Sequence, residues 1–315
     1  MASSGTAGGT FTTKAYNAGY MDYISPAKLQ SAGALGSSSL VWDELQCSAE
    51  PFNSLLQELS LPNGCGITCH DVLSGDAWFV SSLPGPILAC IAAVPDGSAA
   101  ALSRNGNNSS DAAGGDCACT AERSTGAPSD NIWHMQQLVG NACGTIALLH
   151  CVMNLPASVI TQSAAQSPKP TGASSVFHDW HTRGPATSYQ RGAWLEADSR
   201  LAAAHAAAAA LGSVSHSSLS SEPSGHHFVA YLPSAHACSG QAAYGDACGC
   251  TILELDGDLP APLEHPSLCS GAAADAGGCF LKACIQLAAE RRMHTGNAAA
   301  ADSVAFLVLC TAGRA

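Results

Sequence analysis

Four side-chain types in this chain, each at the end of a predicted element, could carry thiol chemistry. Cys143 follows Gly140-Asn141-Ala142 and opens an apolar run, Ile146-Ala147-Leu148-Leu149-His150-Cys151-Val152-Met153, with helical periodicity. A thiol at a helix N-terminus meets the positive end of the helix dipole and free backbone N–H groups, and both favour the attacking thiolate. Gln137, six residues upstream, could donate to the oxyanion that attack on a carbonyl creates. His227 lies in Gly225-His226-His227-Phe228-Val229-Ala230-Tyr231-Leu232, and Asp256 closes Thr251-Ile252-Leu253-Glu254-Leu255-Asp256-Gly257. Nucleophile, proton-transferring imidazole, orienting carboxylate and oxyanion donor are the four parts a thiol hydrolase needs. Taken singly each has a plainer reading: Cys143 as a core residue, His227 as one structural histidine among twelve, Asp256-Gly257 as a turn. Their conjunction carries the hypothesis.

The elements that must position these groups can be read from pattern. Order begins at Val41-Trp42. Ser48, then Glu50-Pro51, predicts a helix start, with Phe52, Leu55, Leu56 and Leu59 as its buried stripe. Asp71-Val72 falls in a short strand or loop. Pro84 to Pro95 is continuously apolar and predicts a strand buried on both faces. Trp194–Leu211 predicts an Ala-rich helix stopped by Gly212. His227–Leu232 and Thr251–Asp256 predict an antiparallel strand pair with His227 and Asp256 at neighbouring ends. Phe280–His294 predicts an amphipathic helix, with Arg291, Arg292 and His294 complementing the dipole in its last turn. Val304–Cys310 predicts a last buried strand. These elements imply one α/β (α+β) domain over 41–315, after a disordered extension at 1–40, with low-complexity insertions at 96–130, 156–190, 213–225, 234–249 and 266–278.

Composition narrows the function classes. The 315 residues carry a formal charge of −12, which argues against nucleic acid as the main partner and fits a basic protein surface. Hydrophobic residues make up 47%, enough for a sizeable core, and charged residues only 11%. No apolar run is long enough for a membrane span, and residues 1–20 lack a signal-peptide core. Fifteen scattered cysteines are expected as reduced thiols in the cytoplasm or nucleus. Cys65-x3-Cys69, Cys117-x-Cys119 and Cys248-x-Cys250 lack the paired spacing of a zinc site, so neither metal nor cofactor is expected.

With these motifs in hand, Gln137-Leu-Val-Gly-Asn-Ala-Cys143-Gly-Thr145 resembles the nucleophile motif of the ubiquitin C-terminal hydrolases, the UCH-type deubiquitinases. His227-Phe-Val-Ala230 resembles their histidine strand, and Leu253-Glu-Leu-Asp-Gly257 with Pro260 and Pro262 resembles their Leu-Tyr-Glu-Leu-Asp-Gly segment. Trp42 with the following helix, Pro84-Gly85-Pro86, and the Trp194–Gly212 helix with Leu195-Glu196 and His205 also match. The resemblance runs from about 41 to 311 and implies a papain-like cysteine-protease fold, a knotted chain, and ubiquitin as partner of a monomeric enzyme. It implies Cys143 as nucleophile, His227 as general base and acid, Asp256 as its orienter, Gln137 as oxyanion donor, and Asn141 as a support of the nucleophile loop. Asp43-Glu44-Leu45-Gln46 departs from the family's Leu-Pro-Leu-Glu after Trp. A loop within 164–225 is expected to span the site, and Glu50, Asp71 and Glu196 are candidates for an acidic groove. Hydrolysis of another ubiquitin-like protein, a silent ubiquitin-binding module and a thiol-rich metal or redox protein are the competing classes.

Overall fold

A computed structural model describes residues 40–59, 61, 66–95, 132–155, 176–213, 226–234, 251–265, 276–294 and 304–311. Residues 1–39, most of the expected insertions, the threading an expected knot requires, Cys117-x-Cys119 and Cys248-x-Cys250 lie outside the described residues. Thirteen elements follow in order: α1 (Ala49–Glu58), β1 (Ile67–Asp71), α2 (Ala77–Ser82), β2 (Ile87–Pro95), α3 (Cys143–Met153), α4 (Val176–Arg183), α5 (Ser188–Ala197), α6 (Ser199–Ser213), β3 (His226–Pro233), β4 (Ile252–Leu255), β5 (Leu263–His265), α7 (Ala276–His294) and β6 (Ala305–Thr311).

The strands form one antiparallel sheet in the order β1-β6-β2-β3-β4-β5. Every residue of β2 is buried, as a strand apolar on both faces requires. It pairs with β3 (Ala92 opposite Val229) and with β6 (Cys90 opposite Val308). The last strand in sequence thus enters between β1 and β2. Each sheet face builds its own core. Leu88, Ala89 and Ile91 with Phe228 and Leu255 pack against α1, α3 and the α4–α6 helices. Cys90, Val229, Tyr231 and Val308 pack against α2 and α7. Residues 146–149, 151 and 152 of α3 are all but completely buried, so the helix that begins with Cys143 is core on every side.

Several expectations need correction. Residues 156–190 are not all loop: α4 forms over Val176–Arg183, and α5 begins at Ser188. Phe177 and Trp180 of α4 are buried, and Trp180 stacks on Trp194 with centroids 4.6 Å apart. The single helix predicted over Trp194–Leu211 is two, broken at Asp198, whose extended backbone ends α5. Its carboxylate accepts from Trp180 Nε1 at 2.9 Å and from the Arg200 and Leu201 backbone N–H groups at 3.0 and 3.4 Å, capping α6. Gly212 lies inside α6 rather than stopping it; a Cβ there would stand 2.8 Å from Gln46 Cβ. α7 begins at Ala276, inside the expected 266–278 loop, and β5 is an addition. Ser48 occupies the N-cap of α1, but its side chain does not bond the helix; Asp71 Oδ1 of β1 accepts from Ala49 N at 2.9 Å instead.

Candidate active site

The geometry around Cys143 begins with a strained residue. Asn141 has φ 58°, a left-handed conformation that Asn tolerates better than most residues. Its Nδ2 donates to Trp42 O at 3.0 Å. Trp42 N donates to Gly140 O, and Gly140 N to Leu40 O, each at 2.9 Å. The N-terminal segment therefore clips the turn that launches α3. Ala142 holds the N-cap position and offers no side-chain cap. A Ser or Asp there would have taken a first-turn N–H; Ala leaves those donors to whatever sits at the helix end. Cys143 is partly exposed.

β3 and β4 deliver the other two groups. His227, 5% exposed, is the second residue of β3, and Asp256, fully buried, follows β4. His227 Nε2 stands 2.6 Å from Asp256 Oδ1. A carboxylate only accepts, so Nε2 carries the proton and Nδ1 is the nitrogen left for Cys143, which lies beside His227. Burial alone would lower the His227 pKa, but the charges of Asp256 and then Asp258, with the hydrogen bond to Asp256, raise it well above its ordinary value. Asp258 Oδ2 lies 4.0 Å from Nδ1. Burial would raise the Asp256 pKa, but His227 and Arg291 hold it far below the usual carboxylate range. The pair is thus an imidazolium facing a carboxylate, beside a thiol at a helix N-terminus.

Gln137 reaches the same region from the segment before α3. Its backbone N donates to Gly257 O at 2.8 Å, and a Cβ on Gly257 would lie 3.1 Å from Gln137 Cβ, so glycine lets the two loops touch. Gln137 is 9% exposed, and its side-chain oxygen has no hydrogen-bond partner among the described residues. An oxyanion there would be met by the Nε2 amide group, since the oxygen only accepts. The 133–137 segment is bolted to α5: Arg191 donates to His134 O at 2.8 Å and lies over the Trp133 ring at 5.0 Å. His134 Nε2 donates to the Asp256 carbonyl at 2.9 Å, and its Nδ1 lies 2.8 Å from Ser188 Oγ.

The sequence reading missed His134, Arg191, Asp258 and above all Arg291. Expected in the last turn of its helix as a complement to the dipole, Arg291 is 2% exposed and bonds Glu254 and Asp256. Its only sequence signal was basic placement, which does not distinguish burial from exposure. Of the acidic candidates, Asp71 caps α1 through Ala49, while Glu50 and Glu196 are exposed. His205 sits under Trp42 (centroids 4.6 Å) and joins Thr145 Oγ1 at 2.7 Å to Asp43 O at 2.6 Å, tying α6 to α3. Within the 164–225 segment expected to hold the strap, α4, α5 and α6 account for most of 176–213, and 164–175 and 214–225 lie outside the described residues. Ligand atoms of His227, Asp256 and Asp258 lie within 4.8 Å of one another, a span a cation could bridge. Both Asp256 oxygens are already engaged, however, and Arg291 supplies the positive charge.

A helix carrying a thiol, packed on an antiparallel sheet that supplies a His–Asp pair, defines a papain-like cysteine-hydrolase architecture. The chain belongs to ubiquitin carboxyl-terminal hydrolase family 1, whose model matches residues 42–286. It is 27% identical over 230 residues to ubiquitin carboxyl-terminal hydrolase 3 of Arabidopsis thaliana, covering 73% of this chain and 81% of that one. It is 26% identical over 224 residues to a ubiquitin carboxyl-terminal hydrolase of Aplysia californica, covering 71% and 85%. Its fold is similar to that of the Trichinella spiralis UCH37 catalytic domain bound to ubiquitin vinyl methyl ester (TM-score 0.54, 15% identity, 88% of this chain and 99% of that one). A second UCH37 structure from the same organism with the same ligand gives TM-score 0.51 at 14% identity, covering 86% and 82%.

Proposed function

We infer that this protein is a thiol-dependent ubiquitin C-terminal hydrolase. Cys143, activated by the helix end and by His227, attacks the carbonyl of ubiquitin's C-terminal glycine. The S–C bond forms, and the oxyanion is met by the Gln137 amide and the Cys143 backbone N–H. His227 returns its proton to the leaving amine, giving an acyl-thioester. Water, deprotonated by His227, then releases ubiquitin and free thiol. Asp256 holds the imidazole in the tautomer and plane that both steps need.

The observation that carries this reading is the 2.6 Å His227 Nε2–Asp256 Oδ1 pair set beside the Cys143 thiol at an uncapped helix N-terminus. Family membership and the ubiquitin-bound fold relatives support ubiquitin as the partner. The net charge of −12 favours a basic protein tail over nucleic acid, and the eight described cysteines, all free, fit a reducing cytoplasmic or nuclear setting. The test is release of coumarin from ubiquitin–7-amido-4-methylcoumarin by wild type and Cys143→Ala. Wild type turns over and the variant does not; turnover by Cys143→Ala at the wild-type rate refutes the reading. A parallel series with ubiquitin-like proteins separates the substrate classes.

A further inference from the structure

The segment that supplies Asp256 carries a second acid, Glu254, which the reaction above does not use. Glu254 is 1% exposed, and a carboxylate so buried needs compensating charge. Arg291 Nη1 donates to Glu254 Oε1 at 2.7 Å, and His265 Nε2 lies 2.8 Å from Oε2. Arg291 reaches this point from α7, on the sheet face opposite α3. Its Nη2 donates to Asp256 Oδ2. Asp256 is therefore held at both oxygens, Oδ1 by His227 and by Asp258 N at 2.8 Å, and Oδ2 by Arg291.

We propose that Arg291 is a positioning residue for this reaction: spanning Glu254 and Asp256, it fixes the plane of the Asp256 carboxylate against His227 and keeps that carboxylate charged throughout the cycle. The proposal rests on the thiol-hydrolase reading. Its physical basis is the proton inventory. When His227 gives its proton to the leaving amine, Asp256 loses the imidazolium that neutralised it. A buried carboxylate without a counter-ion takes up a proton instead. It would then present an O–H where His227 needs an acceptor. Arg291 remains charged whatever His227 does, because guanidinium does not titrate in the working range. The planar fork also reaches two carboxylates at once, which an ammonium on a flexible stem does not do in fixed geometry.

The remaining charges around Asp256 do not substitute for it. His134 faces the Asp256 carbonyl and is held neutral by burial, and His150 is stacked on His134 at 4.9 Å and likewise kept neutral by burial. Asp258 and Glu254 add negative charge, His265 is bound to Glu254, and Cys143 lies beyond His227. Burial would lower the Arg291 pKa, but Glu254 and Asp256 raise it.

The test uses Arg291→Lys and the charge-balanced double variant Glu254→Gln/Arg291→Gln, which removes one charge of each sign. Folding is checked by thermal melting, and kcat and KM are measured from pH 5 to 10 with ubiquitin–7-amido-4-methylcoumarin. The folded double variant is expected to lose about 10- to 100-fold in kcat with KM within about two-fold. Its acid limb of kcat moves to higher pH, because Asp256 now protonates within the working range. Arg291→Lys keeps the acid limb near wild type and recovers part of kcat. A folded double variant with wild-type kcat and pH profile, or a loss confined to KM, overturns the proposal. A wild type that releases no coumarin overturns the hydrolase reading itself, and the proposal with it.

Discussion

Cys143 and Cys151 stand on one helix, about two turns apart, and differ in everything that decides whether a thiol reacts. Cys143 is partly exposed, lies at the helix end and sits beside His227. Cys151 is fully buried, and burial, followed by the nearby Cys69 and Cys90, pushes its thiol well above the ordinary value. Burial does the same to Cys69 and Cys284, and raises Cys47 and Cys310 to about 12. The residue type is shared; the dipole, the solvent and the histidine are not. A cysteine-rich chain can therefore hold one nucleophile among many packing thiols.

The comparison is sharpest in the two alanine substitutions. Cys143→Ala is expected to lower kcat/KM by about 10³-fold or more with the melting temperature nearly unchanged. Cys151→Ala should keep kcat/KM and instead lower stability by about 1–2 kcal/mol, read by chemical denaturation. Equal activity losses at both positions would break the distinction. Next in size is Asp256→Asn, which offers His227 an amide that can turn a donor toward it; kcat should fall about 10²- to 10⁴-fold in stopped assays. Gln137→Ala removes the side-chain oxyanion donor, and kcat is expected to drop about 10²- to 10³-fold with KM little changed.

A smaller effect concerns the ion pair and pH. His227 has a raised folded pKa, so its stabilising contribution is complete below its ordinary 6.5 and is lost as pH rises through the raised value. Asp256 has a depressed one, so its contribution is complete above 3.8 and is lost as pH falls through the folded value. The melting temperature should therefore hold a plateau from about pH 4 to 6.5 as far as this pair decides it. In His227→Gln the decline above that plateau should shrink; an unchanged alkaline decline would show that other groups dominate.

What the sequence made legible follows from range. β2 was readable because nine consecutive apolar residues need only each other to declare a buried strand. Cys143, Gln137, His227 and Asp256 were legible as chemistry because each sits at an element end, and the structure brings the last two within 2.6 Å. The failures are tertiary. Asp198 reads as a tolerable helix residue until Trp180, Arg200 and the α6 N-terminus claim its oxygens. Arg291 reads as a complement to the helix dipole until the sheet places Glu254 and Asp256 beneath it. α4 was passed over because prolines and serines surround it, although Phe177 and Trp180 marked a buried stripe.

The central claim is that one thiol of fifteen is the nucleophile toward ubiquitin's C-terminus. Its most direct test is intact-mass analysis after reaction with ubiquitin vinyl methyl ester, followed by peptide mapping. The account predicts one ubiquitin per chain, attached at Cys143 and absent in Cys143→Ala. No adduct on the folded wild type, or an adduct on any other cysteine, contradicts it.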